Sequence, residues 1–141
     1  MRCALATLLI TRPDAGDYAS FLETATRARE AFALARPYPH VAFHEADLPA
    51  AHKARMAAAA PHLLFDDVSD LFARPRPAAR TAAADRDLGY RHMCRFYAWQ
   101  VFERLEALGF DAVMRVDDDV FFLDRVPYDP SAAGARRERR P

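Results

Sequence analysis

Three contiguous carboxylates, Asp117, Asp118 and Asp119, separate two short apolar runs, Ala112 to Val116 and Val120 to Leu123. Short apolar runs bounded by polar residues read as buried strands. Acids that follow a strand fall at the rim of a sheet, where open α/β sheets bind their ligands. Carboxylates this close repel one another, and each one desolvated without a partner is costly. A divalent cation relieves both penalties, and an all-oxygen donor set suits magnesium, calcium or manganese better than zinc. Alternate residues of an extended segment share a face, so Asp117 and Asp119 can converge on one ion while Asp118 points elsewhere. The plain alternative is a solvated acidic turn between two hairpin strands, because Asp favours turns for backbone reasons. An EF-hand fits poorly: the acids are contiguous rather than alternating, and no Gly follows.

The elements that must position these acids are legible on the N-terminal side. From Gly89 to Leu108, the residues Tyr90, Met93, Cys94, Tyr97, Val101, Leu105 and Leu108 recur at three- and four-residue steps. That spacing predicts a helix with one apolar stripe. Asp85 and Asp87 suit its start and Gly109 its stop. The strand Ala112 to Val116 follows at once and delivers the acids. Earlier, Cys3 to Ile10 is a continuous apolar run, as in a strand buried on both faces. Thr11 to Asp14 breaks it, and Asp14 or Asp17 can cap a helix whose apolar face is Tyr18, Phe21, Leu22, Ala25, Ala28 and Phe32. Pro37 ends that helix.

Val41 to His44 is a second strand, so a parallel βαβ unit with a right-handed crossover is expected. Pro49 opens an alanine-rich helix, Ala50 to Ala60, which Pro61 ends. Leu63 to Phe65 reads as a short strand and Asp66 to Phe72 as a turn or brief helix. Arg74 to Asp87 is rich in Pro, Arg and Ala without periodicity, an exposed loop. The expected class is α/β, an open and mainly parallel sheet with helices on both faces. The expected order is first strand, second strand, acid-bearing strand.

With 141 residues, of which 52% are hydrophobic, the chain is long enough for one domain with its own core. A formal net charge of zero argues against a general nucleic-acid or membrane-surface binder. Basic charge concentrates at Arg136, Arg137, Arg139 and Arg140, in a tail from 131 to 141 read as disordered. Cys3 and Cys94 are too few for a disulfide scaffold; buried thiols are the default, with a single disulfide between them left open. No apolar run approaches the ~20 residues of a membrane span, and the apolar N-terminus reads as a strand rather than a leader. His40, His44, His52, His62 and His92 show no metal-ligand spacing, and no phosphate-binding Gly loop or nucleophile elbow is present.

The segments Tyr90 to Tyr97 (with Met93-Cys94-Arg95), Arg115 to Phe122 and Tyr128-Asp129-Pro130 occur in one order and spacing. Together they resemble glycosyltransferase family 15, the fungal-type Golgi α-1,2-mannosyltransferases. Those enzymes carry Tyr-x-x-Met-Cys-Arg at a helix start, then Arg-Val-Glu-Pro-Asp-Val-x-Phe-Phe, then Tyr-Asp-Pro. Ala6 to Arg12 and Tyr38 to Phe43 are similar, more weakly, to the family's first two strands. The family's Glu-Pro-Asp is Asp117-Asp118-Asp119 here, closer to the Asp-x-Asp motif of nucleotide-sugar transferases, and the Cys that follows is Asp124.

The resemblance implies a GT-A-type fold and retaining transfer of mannose from GDP-mannose to a mannosylated glycan in the Golgi lumen. It implies Mn2+, or another divalent cation, on Asp117 and Asp119. Arg12, Tyr90, Arg95 and Asp119 would meet the donor nucleotide. It spans roughly residues 4 to 130, and the family domain continues for about as long again. Residues 1–130 are therefore expected to be the donor-binding half of a truncated domain, with acceptor site, nucleophile and a His metal ligand lying beyond. Two other readings stay open: a non-catalytic fragment or binding module, and an unrelated metal-dependent phosphoesterase with further acids at other strand ends, for which only Glu45 and Asp47 offer themselves.

Overall fold

The computed structural model describes residues 1–9, 18–32, 38–72 and 90–132. Four parallel strands, β1 (Cys3–Leu9), β2 (His40–His44), β3 (Leu63–Asp67) and β4 (Ala112–Arg115), form one sheet in the order β3-β2-β1-β4. The α/β class expected from the sequence holds. The expected strand order does not: β4 pairs with β1, from Cys3 opposite Ala112 to Ala6 opposite Arg115, on the side away from β2.

Handedness explains the placement. Helices α1 (Ala19–Ala31) and α2 (Ala50–Ala59) link strands that progress one way across the sheet, so right-handed crossovers put both on one face. After the single turn α3 (Ser69–Phe72), the chain returns the opposite way, and the same handedness puts its helix, α4 (residues 90–107), on the other face. Side chains follow. Ala4, Ala6 and Leu8 of β1, with Val41 and Phe43 of β2, pack against Phe96, Val101 and Leu105 of α4. The alternate residues turn to α1 and α2: Leu9 and Ala42 meet Phe21, Ala25 and Met56, while Leu5 meets Ala28 and Phe32. Burial on both faces is why β1 is apolar almost throughout.

Helix α4 departs from its expected stripe. Its buried side chains His92, Phe96, Val101 and Leu105 are spaced by four, five and four residues, and the five-residue step is a π-helical turn, Phe96–Gln100. Phe96 therefore enters the core, while Tyr90, Cys94 and Leu108 are exposed. Cys3 and Cys94 are free thiols, and Cys94 is not the buried residue expected. Gly109 closes the helix with φ of 80°, and a Cβ there would lie 2.7 Å from Arg2 Nη1. Gly109→Ala is expected to cost about 1–2 kcal/mol for the left-handed backbone, read as a lower urea midpoint; the arginine tip can move aside.

The run Val120 to Leu123 is not a strand. Residues 116–132 instead descend along α1. Thr24 Oγ1 donates to the Val120 carbonyl at 3.0 Å and Val126 N to the Ala31 carbonyl at 2.9 Å. Phe122 meets Phe32 edge-on at 5.7 Å. The Tyr38 phenol donates to Asp129, which also accepts from Ser131 N and Oγ at 2.9 and 2.6 Å. Burial, with the Asp129 carboxylate second, raises the Tyr38 pKa. Val120, Phe122 and Val126 pack onto the core and leave Phe121 and Leu123 outside.

The remaining expectations differ only at edges. The strand at Leu63 extends to Asp67, so α3 begins at Ser69 rather than at Asp66. Tyr18 stands at the N-cap of α1 in a left-handed conformation. The capping acids Asp14 and Asp17, the loop from Arg74 to Asp87, Gly89 and the arginine-rich stretch from 133 on lie outside the described residues.

Candidate functional site

Strand order places a switch point between β1 and β4, because the chain leaves β1 toward β2 on one side and reaches β4 on the other. At such a point the crevice opens beyond the carboxyl ends of the two strands. Val116 to Asp119 leave β4 there. Residues 10–17, which leave β1, are outside the described residues, and Arg12 with them.

Two hydroxyls hold the strands apart. The last ladder bond runs from Val116 N to the Ala6 carbonyl at 2.9 Å. A continuing parallel ladder would join Leu8 N to the Val116 carbonyl. Instead Leu8 N donates to the Tyr97 hydroxyl at 2.9 Å, and Thr7 Oγ1 donates to the Val116 carbonyl at 2.6 Å. His40 Nε2 stands 2.8 Å from Thr7 Oγ1. The single hydroxyl proton is committed to Val116, so His40 must donate from Nε2. Its Nδ1 is then a bare acceptor, buried with no hydrogen-bond partner among the described residues. Burial, with His62 nearby, lowers the His40 pKa to about 4. Thr7→Val would strand the Val116 carbonyl and the imidazole N–H together. A loss of about 1–3 kcal/mol is expected in chemical denaturation, largely restored by Thr7→Ser.

Next along β4, Arg115 Nε donates to Asp117 Oδ1 at 2.6 Å, and its guanidinium carbon lies 4.0 Å from the centre of the Tyr97 ring. Asp117 raises the arginine pKa, and burial pushes the Tyr97 phenol up to about 12, so it stays protonated. The Asp118 carbonyl accepts from Ser20 Oγ at 3.3 Å, which ties the acidic turn to the start of α1. Asp119 is exposed.

Among the residues expected at the site, Asp117 and Asp119 share this turn. Arg95 does not join them: its Nη2 donates to the Leu71 carbonyl at 2.8 Å and meets His92 Nδ1 at 3.2 Å, fastening α4 to α3 beside the far edge of the sheet. Tyr90, 65% exposed, sits at the end of α4 nearer the carboxyl ends of the strands. Thr7, Tyr97 and Arg115 complete the site and were not assigned from sequence. The signals were present: a lone polar residue inside an apolar strand, and an arginine two residues from an acid on an extended segment.

No cluster of three or more His, Cys, Asp or Glu side chains is gathered around a metal position among the described residues. The described residues therefore build no closed cage. Two half-exposed or exposed carboxylates do fit a hard cation that keeps waters and takes its remaining ligands from phosphates.

No family model matches the chain, and neither does any curated protein. Among solved structures, the mannosyltransferase Ktr4p from S. cerevisiae matches with a TM-score of 0.71 at 16% sequence identity, over 96% of this chain and 37% of that one. The two share a fold, and the chain spans 37% of the length of that enzyme. The neighbour is a mannosyltransferase, the class to which the Met-Cys-Arg and Arg-Val-acid segments bear their resemblance.

Proposed function

We propose that this chain is the donor-binding half of a retaining α-1,2-mannosyltransferase that takes mannose from GDP-mannose for a glycan acceptor in the secretory-pathway lumen. The observation that carries the reading is the acidic turn at the switch point of a sheet with a mannosyltransferase's fold. Asp117 and Asp119 would hold manganese, which supplies Lewis acidity at the leaving diphosphate. The chain's own residues fix the turn: Thr7 through the Val116 carbonyl, Ser20 through the Asp118 carbonyl, and Tyr97 beneath Arg115. No residue of this chain is assigned to act at the sugar carbon. No helix among the described residues is long and apolar enough to cross a membrane.

A donor-binding module without catalysis of its own is the second reading. The phosphoesterase reading would draw on Glu45 and Asp47, just beyond the end of β2. Beside them His44 pairs with Lys53 at 3.1 Å, and Asp67 caps α3 through Ser69 N at 2.9 Å. Calorimetric titration of GDP with and without manganese tests the proposal: metal-dependent binding supports it, and a folded chain that binds no GDP overturns it.

A further inference from the structure

We infer that Arg115 is the diphosphate-binding group of this site, exchanging Asp117 for phosphate oxygens when a divalent cation takes that carboxylate. The inference rests on the donor-binding reading above. Arg115 is the last residue of β4, held from two directions by its Nε bond to Asp117 at 2.6 Å and by the face of Tyr97 at 4.0 Å. Tyr97 is itself fixed through Leu8 N at 2.9 Å. The guanidinium is thus oriented without using its outer nitrogens: neither Nη donates to any group among the described residues. Both side chains of the pair are 47% exposed, so their ion pair is weak and readily exchanged.

A planar fork with free N–H groups matches phosphate in two-point fashion, which a lysine cannot reproduce. Stacking on an aromatic ring removes the freedom that an exposed arginine would otherwise lose on binding. A cation on Asp117 takes away the arginine's counter-ion and also frees Nε. Metal and diphosphate thus favour each other's binding through one carboxylate. Asp117 has opposite roles in the two states: it recruits the cation, and without the cation it masks Arg115.

That opposition gives the test, by calorimetry with GDP and with inorganic pyrophosphate, each with and without manganese. Arg115→Gln is expected to weaken manganese-dependent GDP binding at least tenfold, with Arg115→Lys recovering only part. Asp117→Asn, which abolishes the metal effect, is expected to raise metal-free pyrophosphate affinity several-fold, a gain lost in the Asp117→Asn, Arg115→Gln double variant. Unchanged metal-free affinity in Asp117→Asn would overturn the exchange. Wild-type-like manganese–GDP binding by Arg115→Gln overturns the inference and leaves the donor-binding reading standing. A wild-type chain that binds neither ligand overturns both.

Discussion

Asp117→Asn is expected to lower manganese-dependent GDP affinity about a hundredfold, and Asp118→Asn by much less. Removing one carboxylate from a hard-metal site with few protein ligands takes a full charge from the inner coordination sphere, an effect on the order of 2–3 kcal/mol. Asp118 contributes to the turn through its backbone carbonyl, which Ser20 holds and which the substitution retains. Stability gives the control. The Arg115–Asp117 pair is 47% exposed on both sides, so breaking it is expected to change unfolding free energy by less than about 1 kcal/mol. Asp117→Asn should therefore melt like the wild type while losing the metal effect in calorimetric titration. A larger loss from Asp118→Asn, or equal GDP binding with and without manganese, would show the metal residues to be wrongly assigned.

The second large effect concerns acid. His40 has its pKa lowered from 6.5 to about 4 in the folded chain, chiefly by burial. Above pH 6.5 the imidazole is neutral whether the chain is folded or not, so stability there does not depend on it. Between 6.5 and about 4 the unfolded chain takes up a proton that the folded chain refuses, and stability falls as pH falls. At about 1.4 kcal/mol for each pH unit, the loss across that interval is roughly 3 kcal/mol. Lowered in the same direction by burial, His62 adds to it. His40→Gln, which keeps a donor for Thr7, should show a flatter stability profile over that range in denaturant titrations at stepped pH. Parallel profiles for the two proteins would mean that His40 titrates normally.

Much of this could be read from the chain because it is locally encoded. The largely apolar run of β1 and the acids directly after β4 required only neighbouring residues to interpret. Lateral order was not encoded that way. The stripe of α4 looks like that of any surface helix, and nothing in its spacing states which face of the sheet it covers. Tyr97 read as one more apolar position, because three- and four-residue steps pass through it whether or not the helix widens. Thr7 read as a β-branched strand residue, and its hydroxyl acquires meaning only beside His40 and Val116. Arg95 shows the opposite case: it stands on the expected helix, and only the fold shows its Nη2 on the Leu71 carbonyl.

The widened turn in α4 amounts to one residue more than an α-helical frame needs. Deleting Ala98 would bring Phe96 to four residues before Val101, the regular α-helical step. Phe96 and the residues before it would then keep facing the core while sliding by one helical rise, ~1.5 Å. The Tyr97 ring would shift by a similar amount against Leu8 N and the Arg115 guanidinium, which it meets at 2.9 and 4.0 Å. The acids would keep their sequence and their strand. The widened turn thus sets the height of the ring beneath Arg115 through helix length alone, separately from every charged residue around it.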